Sequence, residues 1–175
     1  SGGDRLRLVF HAPTRGLIGY QGELLTDTRG SAIMNRLFHA YAPWKGEIAG
    51  RRNGVLISND NGESVAYAMW KLEDRGPMMI EPGCKVYRGM IVGEHTRDND
   101  LEINVLKGKQ LTNIRAAGKD EAVRLTPPLK MTLEKALAYI EDDELVEVTP
   151  KSIRLRKALL DPNERRRAFR AKQSA

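Results

Sequence analysis

Lys107, Lys109, Arg115 and Lys119 stand in the stretch VLKGKQLTNIRAAGKDE (residues 105–121) with no carboxylate between them. Ammonium and guanidinium groups at this density neutralise phosphate, the first requirement for holding RNA. Gln110, Thr112 and Asn113 lie among them and can hydrogen-bond base edges or a ribose 2′-hydroxyl. Gly108, Gly118 and two alanines permit close backbone approach. No apolar period of 3.6 or 2 runs through the stretch, so it reads as a basic loop. A second cationic set, Arg165, Arg166, Arg167 and Arg170, follows Asp161-Pro162-Asn163-Glu164 near the end of the chain. Their planar guanidinium forks suit bidentate contact with phosphate.

Bond-making chemistry finds less support. The Gly-Lys pairs at 108–109 and 118–119 lack the earlier glycine and the following Ser or Thr of a phosphate-cradling loop. Asp27-Thr28-Arg29-Gly30 matches the short D-x-x-G pattern of nucleotide switches but reads better as a helix-ending turn. His11, His39 and His95 have no metal-ligand spacing, and a zinc site with one cysteine would need scattered carboxylates. Asp98, Asp100 and Glu102 resemble a calcium loop but have Ile103 where glycine belongs. The run Glu141-Asp142-Asp143-Glu144 offers a hard-cation site, a solvated helix end, or partners for the arginines that follow. Cys84, alone and in a Pro-Gly-Cys-Lys turn, reads as a turn residue. A lone cysteine also suits a reducing, cytosolic setting. No nucleophile–base pair emerges, so a non-catalytic binding region is expected, with no catalytic residue, metal or cofactor of its own.

Charge distribution agrees with binding. The net charge is +6, yet the first 150 residues hold 20 basic against 21 acidic groups. From Lys151 onward nine cations face only Asp161 and Glu164. Localised charge points to nucleic acid first and to an anionic membrane second. Arg51-Arg52-Asn53 reads as a minor basic spot or a solvated turn. Against a membrane stands the tail's single aromatic, Phe169. The chain also has no apolar run long enough to span a bilayer, and its first residues lack a signal peptide's regions.

These groups need a scaffold, and 41% hydrophobic content is enough for a core. Arg5 to Phe10 alternates as a half-buried strand, Thr14 is an N-cap for a helix to about Thr28, and Ala32 to Tyr41 reads as a second strand. Gly30 is a natural C′ stop. Strand, helix, strand is half of a ferredoxin-like split βαβ sandwich, whose other half must come from elsewhere. Pro43-Trp44-Lys45-Gly46 marks the expected boundary, giving regions 1–44 and 45–175. Beyond it, Gly54–Ser58, a turn at Asn59–Gly62, Ser64–Trp70, Met78–Ile80, Lys85–Tyr87, Met90–His95, Asp100–Leu106 and Ala122–Leu125 read as short strands. Their regular spacing predicts a small β-barrel-like domain. A helix from Thr132, strands at Leu145–Thr149 and Ser152–Leu160, and a basic helix over 162–171 complete an α+β chain.

Specific segments carry a resemblance. PTRGLIGYQGELLTDTRGSAIM resembles the second half of the fifth domain of translational GTPases of the elongation factor G type. RRNGVLISNDNGESVAYAMWKLEDRG, KGKQLTNIRAAGKDEAVRLTPP and MTLEKALAYIEDDELVEVTPKSIRLRK resemble the terminal domain of the BipA/TypA branch. The resemblance implies a ribosome-associated GTPase of bacteria or chloroplasts, cytoplasmic in bacteria, acting in stress and cold adaptation and in large-subunit assembly. It implies that the loop matching Lys107 to Lys119 reaches the acceptor end of an A-site tRNA beside 23S rRNA. It also implies that the half sandwich faces rRNA of the GTPase centre. GTP and magnesium would belong to a domain outside this sequence. The expected partners are thus rRNA, tRNA and possible ribosomal proteins, without membrane or small-molecule substrate. The alternative is a protein-interaction module with an incidental basic loop.

Overall fold

β1 (Val55–Ser58) is buried at all four positions, which requires cover on both faces of its sheet. The computed structural model describes residues 6–46, 50–108 and 124–173. The chain divides into two units, Ser1–Ala49 and Gly50–Ala175.

In the larger unit, β1 lies in a five-stranded sheet with β4 (Met90–Glu94), β5 (Leu101–Ile103), β6 (Glu144–Val148) and β7 (Ile153–Lys157), in the order β5-β1-β4-β7-β6. β5 is parallel to β1 and the other pairings are antiparallel. A separate ribbon pairs β2 (Gly62–Glu63) with β3 (Lys85–Val86). On one face Leu56 and Val92 join Met69, Met78, Val86, Ile103 and Val105, under the ribbon and helix α2 (Ala66–Leu72). On the other, Val55, Ile57, Ile91 and Leu155 pack with Ala136 of helix α3 (Leu133–Tyr139). Strand pleating sends neighbours to opposite faces, which is why VLIS is apolar without alternation.

The expected barrel does not form. Closure would require β5 and β6 to pair, and they are the two outer edges of an open sheet. Ser64–Trp70, expected as a strand, contains most of α2. Ala66 and Ala68 favour helix, and burial of Ala68 and Met69 with Leu72 beside them follows a helical stripe. The Val65 N–H, bonded to the Val105 carbonyl at 2.9 Å, fixes where that helix starts. Met78–Ile80 contributes only an isolated bridge from Met78 to Gly93. Arg124 and Leu125 are not in a strand, and residues 122–123 lie outside the described residues.

Other local signals are realised. Thr132 Oγ1 accepts the Lys135 N–H at 3.3 Å and caps α3. Asp161 Oδ1 accepts the N–H groups of Asn163 at 2.7 Å and Glu164 at 3.2 Å, opening helix α4 (Pro162–Gln173). No helix among the described residues is long and apolar enough to cross a membrane.

In the smaller unit, a 3₁₀ turn (Thr14–Leu17) precedes helix α1 (Tyr20–Asp27). The expected single helix is broken at Gly19, whose φ of 77° is left-handed. Gly30, at φ 80°, ends α1 as expected, its N–H bonding the Leu25 carbonyl at 2.7 Å, so Asp27–Gly30 is a terminating turn. The strands expected at Arg5–Phe10 and Ala32–Tyr41 are not formed among the described residues. In a split βαβ arrangement each such strand takes its ladder from a neighbouring strand, and the described residues of this unit supply none. Leu6, Leu8 and Phe10 of the first expected strand and Ile33, Leu37 and Tyr41 of the second are accordingly exposed.

Candidate nucleic-acid interface

The roots of the basic loop are fixed by the core. β5 runs into Val105, fully buried in the cluster with Leu56 and Met69, and Leu106 packs against the same cluster. The chain then emerges at exposed Lys107 and Gly108. It returns at exposed Arg124, and Leu125 packs on the same cluster while Thr126 N–H bonds Glu73 Oε1 at 2.6 Å. The described residues on both sides of 109–123 are therefore held on one apolar core. Lys109, Thr112, Asn113, Arg115 and Lys119 lie outside the described residues.

The tail cations have different fates. Arg165 is mostly buried, donating to the carbonyls of Leu159 at 2.6 Å and Leu160 at 2.8 Å and pairing with the Glu102 carboxylate on β5. Arg154 and Arg156 both approach Glu147, at 3.5 and 2.9 Å. Lys157 is buried. Four of the nine tail cations thus meet carboxylates of the fold, while Arg166, Arg167 and Arg170 of α4 are exposed. Arg165→Ala is expected to cost about 1–3 kcal/mol, the loss of charge-assisted bonds that seat α4. Arg166→Ala with Arg167→Ala is expected to change stability by less than about 0.5 kcal/mol. Urea titration of both variants checks the contrast.

The residues that sequence reading missed form a buried ionic cluster. Glu144 has a fully buried side chain and takes both Arg51 Nη atoms at 2.5 Å. Lys157 Nζ reaches Glu144 at 2.8 Å, Asp100 at 2.6 Å and Asp143 at 3.0 Å. Arg51 also donates to the carbonyls of Asn53 at 2.8 Å and Tyr139 at 3.1 Å. Burial alone would push the Glu144 carboxyl up, but the hydrogen bonds from Arg51 and Lys157 hold it below its ordinary value. Burial alone would lower Lys157, and its carboxylate partners raise it instead. Arg51, read as a surface spot, is a core cation, and the acidic run at 141–144 supplies its partner. Asp100, one of the three carboxylates of the calcium-like pattern, accepts the Val55 N–H at 2.9 Å besides Lys157. No metal-holding group of three or more acidic, histidine or cysteine residues occurs among the described residues. Burial raises the Cys84 thiol above its ordinary value, the opposite of an activated nucleophile.

Comparisons with known proteins agree with the sequence segments. The family described as TypA/BipA C-terminal domain matches residues 53–162, and that described as Elongation factor G C-terminus matches residues 1–52. Neither description is that of a GTP-binding domain. The large ribosomal subunit assembly factor BipA of Bacillus subtilis is 50% identical over 100% of this chain and 29% of its own length. Its counterparts in Escherichia coli K12 and Haemophilus influenzae are 53% and 51% identical, over 97% and 99% of this chain and 28% of their own lengths. The chain spans less than a third of the curated relatives it matches.

Proposed function

The chain belongs to the TypA/BipA C-terminal domain family, and from that premise we propose that it is the RNA-contacting region of a ribosome-associated translational GTPase of the bacterial cytoplasm. The observation that carries this reading is the anchoring of both loop roots on one buried cluster, with Lys107 and Arg124 exposed at the exits. A rigid base lets a cationic loop be placed against a defined RNA surface rather than trail from it. The finer proposal is that Lys107, Lys109, Arg115 and Lys119 contact phosphates at the acceptor end of an A-site tRNA and in 23S rRNA, with Thr112 and Asn113 bonding bases or ribose. Arg166, Arg167 and Arg170 add phosphate contacts, and Arg165 seats their helix. The whole protein would bind GTP and magnesium in another domain and act in large-subunit assembly and in stress and cold adaptation.

Binding through phosphate neutralisation predicts a steep salt dependence, with log affinity falling by about 0.7–0.9 per phosphate contacted for each log unit of salt. Co-sedimentation of the chain with purified large subunits across a salt series measures that slope. A flat response rejects the reading. The exposed apolar residues of the smaller unit, Leu37 and Tyr41 among them, favour a second contact with protein. Ribonuclease treatment separates the two: it abolishes RNA-held complexes and spares protein-held ones.

A further inference from the structure

A groove opens where the five-stranded sheet splits. β7 pairs with β4 only through Leu155 and Arg156. Beyond Ile91, β4 gives its ladder to the Pro77–Met79 stretch instead, with Met79 N–H to Val92 O at 2.8 Å and Glu94 N–H to Pro77 O at 3.0 Å. The first residues of β7 are left bordering a cavity of about 610 Å³, which residues 79–85 and 128–131 also line.

The hairpin ladder shows which way this border faces. Thr149 N–H bonds the Ser152 carbonyl at 2.9 Å and Ala158 N–H bonds the Asp143 carbonyl at 2.8 Å. Antiparallel ladders alternate, so Val148–Ile153, Val146–Leu155 and Glu144–Lys157 are the non-hydrogen-bonded pairs of β6 and β7. The Ile153 N–H and carbonyl therefore point away from β6, toward the groove, as the Lys157 N–H does where it meets the Gly89 carbonyl at 2.9 Å. No strand among the described residues pairs with Ile153 on that side. The groove thus contains a free strand edge above apolar lining that includes Met79 and Met131.

Its rim is cationic. Lys85, Lys130 and Lys151 line it and are exposed, and Glu81 is the one carboxylate among the described lining residues. Those lining residues include no aromatic ring, so the groove lacks the stacking platform on which single-stranded nucleic acid is held. We propose that the groove binds an extended acidic peptide segment of a partner protein. The segment adds as a short strand on the Ile153 edge, setting apolar side chains on the methionine-lined floor and carboxylates against the three lysines. This site shares no residue with the basic loop, so its failure would leave the RNA reading untouched.

The test titrates the ¹⁵N-labelled 175-residue chain with a short peptide alternating leucine and glutamate. A leucine–lysine peptide and a short oligouridylate serve as comparisons. The expected result is saturable binding of the acidic peptide alone, with a downfield shift and slowed exchange of the Ile153 amide. Lys85→Glu with Lys151→Glu, both at exposed positions, is expected to weaken that binding at least about tenfold. An unchanged amide spectrum away from the groove checks that the variant is folded. The proposal is overturned if the acidic peptide does not bind, if it binds without perturbing the Ile153 amide, or if oligouridylate takes the groove in its place.

Discussion

Glu144→Ala is expected to cost the Gly50–Ala175 unit about 3–5 kcal/mol, because it leaves two buried cations without their shared carboxylate. Arg51 would keep the carbonyls of Asn53 and Tyr139, but its remaining carboxylates, Asp100 at 4.0 Å and Glu141 at 3.9 Å, lie beyond hydrogen-bond reach. Lys157 would keep Asp100 and Asp143, both partly exposed. A loss of this size is a large share of a domain's stability. The urea midpoint of the variant measures it, and an unchanged midpoint would show that the cluster contributes nothing. Replacing Arg51, Glu144 and Lys157 together by apolar residues of similar size is expected to cost far less, since no buried charge is then orphaned.

The same cluster sets the response to pH. The folded-state pKa of Glu144 lies below its ordinary value of 4.5. Its contribution is therefore complete above that value and is lost as pH falls through the depressed folded pKa. Lys157 runs in the other direction. With its folded pKa raised above 10.5, its contribution is complete below that value and is lost as pH rises through the folded pKa. Stability is thus expected to hold across the neutral range and decline at both extremes. In Glu144→Gln the acid decline should be shallower, which urea titrations at successive pH values would reveal.

Alanine at Lys107, Lys109, Arg115 and Lys119 together is expected to act on binding and not on folding. Four lost phosphate contacts lower the log–log salt slope by about 3 and weaken ribosome binding at least about tenfold at moderate salt. Lys107 is exposed two residues beyond buried Val105, so its truncation leaves the cluster that roots the loop intact. The measurement is co-sedimentation at several salt concentrations beside a urea titration of the same variant. Equal affinity with an unchanged urea midpoint would remove the loop from RNA binding. The two variants form a useful pair, since Glu144→Ala acts through buried groups and the loop variant does not.

The sequence by itself determined those features that are settled within one helical turn or one strand. Asp161-Pro162-Asn163-Glu164 specifies the start of α4 because cap and donors lie within three residues. Gly30 stops α1, Thr132 caps α3, and the runs at β1, β4, β6 and β7 are visible in their apolar pattern. The segments that identify the family, among them DDELVEVTPKSIRLRK, are equally local. Tertiary structure decided the rest. SVAYAMW satisfies a strand pattern at Val65, Tyr67 and Met69 as well as a helical one, and the core beneath α2 selects the helical stripe. Whether short strands close into a barrel depends on which edges meet, and the edges here are β5 and β6 on opposite sides of an open sheet.

Charge shows the same division most sharply. Composition places nine cations in the tail, but a cation binds phosphate only if no carboxylate of its own fold reaches it first. Arg51 and Glu144 lie 93 residues apart in the chain, and Arg165 and Glu102 lie 63 apart. No local pattern encodes such distances. The fold therefore turned Arg51, Lys157 and Arg165 into structural groups while leaving Lys107, Arg166 and Arg167 at the surface.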